Sequence, residues 1–469
     1  MSSLYASSDD IRAMFSRAMS DMYRAEVPQY GTLVELVSQV NETLLGGDEE
    51  LKARLIRSGE LARLNTERHG AIRLGRPKEL FTIRRLFAVM GMRPVGYYDL
   101  SAAGVPVHST AFRPVDDQSL TRNPFRIFVS LLRLDLISDL ELRKAAQAIL
   151  ARRNIFTPRA LILIDRFEEK GLTEEEAEDF VHEAIETFRW HSEATVASDV
   201  YRKLHEAHPL IADVVCFKGP HINHLTPRTL DIDAVQTAMP ACGIKPKAVV
   251  EGPPRRKCPI LLRQTSFKAL EESIAFVEAS GSHRQGIHTA RFGEVEQRGV
   301  ALTPKGRALY DRLLGLVRSK VKLAPDGSNA AEYVKVLDEV FAEFPDSYDE
   351  LRRQELAYFR YSFSDTGKWQ ADDPSLSHSV DELIEMGYLK FDPIVYEDFL
   401  PVSAAGIFQS NLGDKGQGDY TGHASREAFE AALGASVLDE LALYAEAQAA
   451  SLSEFHLDAG QKQPVLQRG

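Results

Sequence analysis

Apolar residues along the chain switch between helical and strand spacing, and the order of the switches predicts the architecture. From Asp9 to Leu45 they recur at helical intervals (Ile11, Met14, Phe15, Ala18, Met22, then Leu33, Leu36, Val37, Val40 and Leu44), which predicts a helical collar capped by Ser8 or Asp9. A strand pattern opens at Arg68–Leu74 (RHGAIRL), passes through a helical stretch to Met90–Tyr98, and continues in β-rich runs from Val107 and Phe125. The same succession returns at His221–Arg228 (HINHLTPR), Cys242–Val250, and the runs from Cys258 and Ala290. Between the two lies Asp135–Glu206, helical in pattern, with Thr173 and Glu176 spaced as a capping box. A long insertion between halves of one β core is tolerated because loop closure costs only the logarithm of its length.

After the second succession, 302–318 reads as a helix with Pro304 in its first turn and Leu309, Leu313, Leu314 and Val317 on one face. Helices are expected at Ala331–Phe344 and Ser347–Tyr358, then an apolar run over 389–408, a mobile loop at the glycine-rich LGDKGQGDYTG, and a last helix at Ser425–Ala447. The expected fold class is therefore α+β: a duplicated β core with large helical insertions and flanking helices. The corresponding division is 1–60 collar, 61–134 first half, 135–207 helical insertion, 208–300 second half, 301–388 helical segment, 389–424 pocket-lining strand and loop, and 425–469 final helix and tail.

The candidate chemistry sits on the strands. Side chains alternate along a strand, so His69, Ala71 and Arg73 share one face, offering a metal ligand and, two residues further on, a cation for a substrate carboxylate. The two histidines of HINHLTPR are three apart and point to opposite faces, so one looks inward. His224 is the choice, because Arg228 follows it at the offset by which Arg73 follows His69; His221 and Arg228 remain as groups that orient a ligand or serve structure. Glu294 and Glu296 lie on one strand face, and two buried carboxylates together require a cation or a proton. By position Glu294 is the ligand, with Glu296 in reserve. If the two halves close on each other, two imidazoles and one carboxylate meet in the facial arrangement of non-haem Fe(II) oxygenases, although manganese, cobalt or nickel suit the same donors. No residue is assigned as a catalytic base.

Composition narrows the classes. With 469 residues, 44% of them hydrophobic, the chain can bury a substantial core. A formal net charge of −12 argues against a nucleic-acid or anionic membrane partner, and an anionic substrate would need a local basic pocket. Three cysteines, Cys216, Cys242 and Cys258, form no CxxC pair and fit a reducing compartment. Neither a signal-type leader nor a run long enough to span a membrane stands out, so a cytoplasmic location is expected; the oligomeric state is left open.

Taken together, RHGAIRLG, HINHLTPR with LDID, RFGEVEQRG with ALTPKGR, and the late PVSAAGIF resemble the 2-oxoadipate dioxygenase/decarboxylases, Fe(II) enzymes of lysine breakdown distantly similar to the vicinal-oxygen-chelate enzymes. The resemblance spans most of the chain. It implies that His69, His224 and Glu294 hold Fe(II), that Arg73 binds a substrate carboxylate, and that Val402 and Ser403 line the part of the pocket that sets substrate choice. It implies further that a small 2-oxo dicarboxylic acid and dioxygen are the partners, with 2-oxoadipate converted to (D-)2-hydroxyglutarate and carbon dioxide. Other readings of the same core are a glyoxalase-like lyase, an isomerase or a ring-cleaving dioxygenase. A winged-helix DNA-binding regulator, prompted by LTPKGRALYDRLL, is opposed by the acidic balance.

Overall fold

The computed structural model describes residues 5–278, 281–289, 291–324, 326–364, 379–400 and 422–453. Twelve strands lie among them: β1 (Arg68–Leu74), β2 (Arg93–Asp99), β3 (Val107–Arg113), β4 (Arg126–Leu132), β5 (Glu193–Ala194), β6 (Leu225–Pro227), β7 (Leu262–Ser266), β8 (Glu271–Val277), β9 (His283–Thr289), β10 (Glu294–Arg298), β11 (Phe359–Phe363) and β12 (Leu389–Pro393). With the many helices between them they make a mixed α+β protein of several small sheets.

The largest sheet has the order β2-β3-β4-β1-β6. Strand β1 runs parallel to β4, with His69 opposite Arg126, and antiparallel to β6, with His69 opposite Thr226. Two faces follow from the alternation of side chains. Ile72 and Leu74 of β1 and Ile127, Val129 and Leu131 of β4 join the collar residues Ile11, Phe15, Met19 and Tyr23 in one core. Ala71, Phe128 and Leu132 turn into a second core on the other face, the face of His69 and Arg73. Full burial of an aromatic such as Phe15 or Phe125 contributes about 1.5–3 kcal/mol, so the collar is bound chiefly by apolar area.

The expected helical collar opens with two helices, Ser8–Glu26 and Pro28–Gly47. Pro28 accounts for the break: it lacks the N–H that a continuing helix needs but suits a first helical position. The first helix is capped by Ser7, whose hydroxyl accepts from Asp10 N at 3.1 Å, and not by Ser8 or Asp9. Its Tyr23 reaches across to the strands, with the hydroxyl 3.0 Å from Asn223 O and 2.7 Å from Phe292 O.

The insertion is helical as expected, with Leu140–Ala151, Pro158–Lys170, Glu174–Ile185 and Ser198–Ala207, and the Thr173/Glu176 capping box is formed; a further helix, Pro209–Val215, stands where the second β half was expected to begin. The insertion also carries β5, which joins the β8–β9 hairpin in a separate three-stranded sheet. Periodicity gave no sign of that sheet. In the segment 301–388, helices Pro304–Lys320, Ala330–Phe341 and Tyr348–Arg353 are followed by β11, which pairs with β12. The helix expected at Ser425–Ala447 is two, Gly422–Leu433 and Glu440–Ser453, because Gly434 takes the left-handed conformation (φ +71°) that ends a helix. The glycine-rich stretch LGDKGQGDYTG lies outside the described residues save for its last glycine, Gly422.

Candidate metal centre

Strand β1 delivers His69, the segment leading into β6 delivers His224, and β10 delivers Glu294. All three are buried, and one ligand atom from each falls within 4.8 Å of the others. Close backbone approach makes this possible. Asn223 N donates to Ala71 O at 3.0 Å, and a Cβ at Gly70 would lie 2.6 Å from Ile222 Cδ1 and 2.9 Å from His224 O, so the segment holding His224 rests directly on Gly70. At Gly293 an added Cβ would meet the Phe267 ring at 2.1 Å. Tyr23 ties the His224 and Glu294 segments together from the collar side.

The rings of His69 and His224 stand edge to face with centroids 5.5 Å apart. Phe399 packs on His69 at 4.9 Å, and Phe292 stacks on His224 at 4.9 Å. Glu294 Oε2 accepts from Thr226 Oγ1 and Gln264 Nε2, both at 3.0 Å, and lies 3.1 Å from His69 Nε2 and 3.7 Å from His224 Nε2. Glu296 occupies the other edge of His69, with Oε2 3.0 Å from Nδ1, and is further engaged by Arg298 at 2.9 and 2.7 Å and by Arg126 at 3.5 Å. Burial alone would raise the Glu296 carboxyl, but Arg298, His69 and Arg126 outweigh it and hold the group ionised far below its usual range.

His224 differs from every other group in the cluster. Burial pushes its pKa down to about 3, so the ring is neutral, and neither nitrogen has a hydrogen-bond partner among the described residues. An imidazole buried with both nitrogens unsatisfied is costly, and a neutral imidazole lone pair is what a metal ion takes. The donor set therefore fits a divalent ion.

The other residues singled out from the sequence fall around this cluster. Arg73 shares its face of β1 with His69 and donates from Nη1 to Asp213 Oδ2 at 2.6 Å. His221 meets Asp213 at 3.3 Å and Asn223 Nδ2 at 3.2 Å, so it serves the surroundings of Arg73 and not the ligand cluster. Arg228 points away, to Glu67 at 3.1 Å and to Glu60, in a buried lattice of charges with Arg63, Arg126, Arg298 and Glu397 behind His69. Its offset from His224 matches that of Arg73 from His69, yet His224 precedes β6, which begins at Leu225, so the offset does not carry the same facing. Val402 and Ser403 lie outside the described residues. Thr226, Gln264, Asp213 and His288 were not foreseen. Asp213 alone left a signal, a single acid in the apolar run PLIADVV.

Fold and site define a class: an α+β enzyme with a buried His, His, Glu cluster able to hold a metal ion. The profile of the 2-oxoadipate dioxygenase/decarboxylase family matches residues 15–411. The chain is 61% identical over 449 residues to a protein of that name from Pseudomonas putida, covering 96% of each, and 58% identical over 441 residues to one from Escherichia coli, covering 94% of this chain and 96% of the other. The crystal structure of hydroxyglutarate synthase from Pseudomonas putida in complex with 2-oxoadipate superposes with a TM-score of 0.89 at 57% identity, covering 97% of this chain and 98% of that one. This chain belongs to the 2-oxoadipate dioxygenase/decarboxylase family.

Proposed function

We propose that the protein is an Fe(II)-dependent 2-oxoadipate dioxygenase/decarboxylase that converts 2-oxoadipate and dioxygen to 2-hydroxyglutarate and carbon dioxide, as a step of lysine breakdown in the cytoplasm. The observation that carries this reading is the convergence of His69, His224 and Glu294 with His224 left neutral and without hydrogen bonds. These three hold the metal, and Glu296 steadies His69 from behind. Arg73, on the same strand face, binds the carboxylate remote from the keto group by a charge-assisted bond and so orients the carbon chain. Fe(II), when bound, would supply the redox chemistry with dioxygen by which C1 leaves as carbon dioxide, the keto carbon C2 takes one oxygen atom and becomes the new carboxylate, and C3 is hydroxylated by the other. Phe399 and Phe292, packed on the two imidazoles, keep water from that side of the cluster.

The reading includes a duplicated, vicinal-oxygen-chelate-like core over 61–134 and 208–300. Strand pairing supports it. Strand β1 runs parallel to β4, and Arg228 bridges to Glu296 in parallel; β3 and β4 are antiparallel, as are β7 and β10. In the second half the counterpart of β2 is reduced to the antiparallel bridges Pro246 to Phe267 and Glu251 to Gln264. The halves join where β1 meets β6.

The test is oxygen uptake by anaerobically iron-loaded protein on addition of 2-oxoadipate, with 2-oxoglutarate as control and products read by mass spectrometry. Uptake coupled to carbon dioxide and 2-hydroxyglutarate, and lost in His224→Ala, is the expected result. No uptake with verified bound metal would return the chain to a lyase or isomerase of the same core.

A further inference from the structure

Arg73 is held from behind by a relay of buried polar groups that the metal centre does not use. Its partner Asp213, on the helix Pro209–Val215, is 2% exposed, and both carboxylate oxygens are engaged. Oδ2 accepts from Arg73 Nη1 at 2.6 Å, while Oδ1 lies 3.0 Å from His288 Nε2 and 3.3 Å from His221 Nε2. The tautomer of His288 follows from its other edge, where the Tyr201 hydroxyl lies 2.9 Å from Nδ1. Burial pushes the Tyr201 phenol up, so it keeps its proton and can donate it to Nδ1, which leaves Nε2 to carry a ring proton toward Asp213. Trp190 closes the relay, stacked on His288 at 6.0 Å and edge-on to His221 at 4.7 Å.

The arrangement has an electrostatic consequence. A carboxylate serving Arg73 alone would spend its whole charge on the guanidinium and leave little attraction for a substrate. Donation from His288 draws part of the Asp213 charge to the opposite oxygen, so Arg73 is held in place while its positive charge is only partly offset by that pair. Burial alone would raise the Asp213 carboxyl, but His221 and Arg73 outweigh it, and the charge persists at neutral pH.

We propose that Asp213 is the positioning residue of the substrate's carboxylate anchor, fixing the side chain of Arg73 at one distance from the His69–His224–Glu294 cluster, with His288 balancing its charge. The inference rests on the reading that Arg73 binds a substrate carboxylate. A fixed anchor is also a ruler: it favours the 2-oxo dicarboxylate whose length spans the gap and disfavours 2-oxoglutarate, one methylene shorter.

The experiment compares parent, Asp213→Ala, Asp213→Asn and His288→Gln for metal content, anaerobic binding of 2-oxoadipate by calorimetry, and steady-state kinetics with 2-oxoadipate and 2-oxoglutarate. Expected for Asp213→Ala is full metal content, a KM for 2-oxoadipate raised about tenfold or more with kcat within about threefold, and a weakened preference over 2-oxoglutarate. Asp213→Asn, which keeps an acceptor for Arg73, recovers part of the loss, and His288→Gln, which keeps a donor for Asp213, is milder still. Unchanged KM, binding and preference in Asp213→Asn and His288→Gln, whether or not Asp213→Ala folds, overturns the proposal, as does a loss confined to kcat. A metal-loaded parent that neither binds nor turns over 2-oxoadipate removes the underlying reading and this inference with it, a result seen before any variant is compared.

Discussion

Glu294 and Glu296, two residues apart on β10, hold opposite edges of one imidazole: Glu294 Oε2 is 3.1 Å from His69 Nε2, and Glu296 Oε2 is 3.0 Å from His69 Nδ1. They are not equivalent. Glu296 is committed to Arg298 and Arg126, whereas Glu294 takes neutral donors from Thr226 and Gln264 and faces His224. A carboxylate on the far nitrogen of a ligating histidine fixes its orientation and raises its basicity.

That asymmetry predicts two different losses of metal. Glu296→Gln is expected to weaken metal affinity by about 10–100-fold, the usual effect of removing such a partner. Glu294→Gln is expected to abolish stoichiometric binding. Chelator competition followed by metal analysis measures both, and a larger loss in Glu296→Gln would exchange the two roles.

Gly70 should be intolerant of the smallest side chain. The added Cβ would sit 2.9 Å from the backbone oxygen of His224, which cannot yield as a side-chain methyl can. Gly70→Ala is therefore expected to shift the His224 segment, costing about 1–3 kcal/mol of stability and lowering metal affinity. Denaturant melts with and without metal would show both effects; an unchanged metal-dependent increment would refute the steric argument.

Tyr23 links the collar to the metal centre through the carbonyls of Asn223 and Phe292. Removing its hydroxyl takes a donor from both carbonyls, of which Asn223 O keeps Phe292 N at 3.1 Å, so Tyr23→Phe is expected to cost about 1–3 kcal/mol by urea unfolding. The predicted secondary effect is weaker metal binding, because those carbonyls adjoin His224 and the 292–294 turn into β10.

Acid sensitivity is expected from His108, which is buried on β3. Burial, with Arg133 adding to it, lowers its pKa to about 4. Between the unfolded value near 6.5 and about 4, the unfolded chain binds the proton and the folded one does not, so stability is full above pH ~6.5 and falls as pH drops through that window. The shift corresponds to roughly 3 kcal/mol. Because burial penalises only the protonated ring, melting temperatures of parent and His108→Gln should lie closest above pH ~6.5 and separate toward pH ~4, with the parent falling further; parallel curves would contradict the assignment.

The periodicity of the sequence determined more of this protein than its helices and strands. Alternation along RHGAIRL put His69, Ala71 and Arg73 on one face, and alternation along GEVEQR put Glu294 and Glu296 on another, because these relations depend only on local backbone geometry. His224 was chosen over His221 by the offset of Arg228, and it falls in one cluster with His69 and Glu294. Local signals also found the Thr173/Glu176 cap, whereas Gly434 divided a helix that apolar spacing had joined.

Tertiary structure alone decided the rest. Which glutamate faces His224, and that Glu296 serves the far side of His69, depend on how β10 is placed against β1 and β6, a long-range relation that alternation cannot express. Asp213 reaches Arg73 from a helix 140 residues away in sequence, and His288 reaches Asp213 from a separate sheet 75 residues further on; such partners are chosen by packing. The same holds for Arg228: its spacing matched that of Arg73, but His224 lies before β6 begins, and Arg228 enters the buried charge lattice. Spacing specifies a face only while the strand lasts, and where a strand stops is settled by what packs against it.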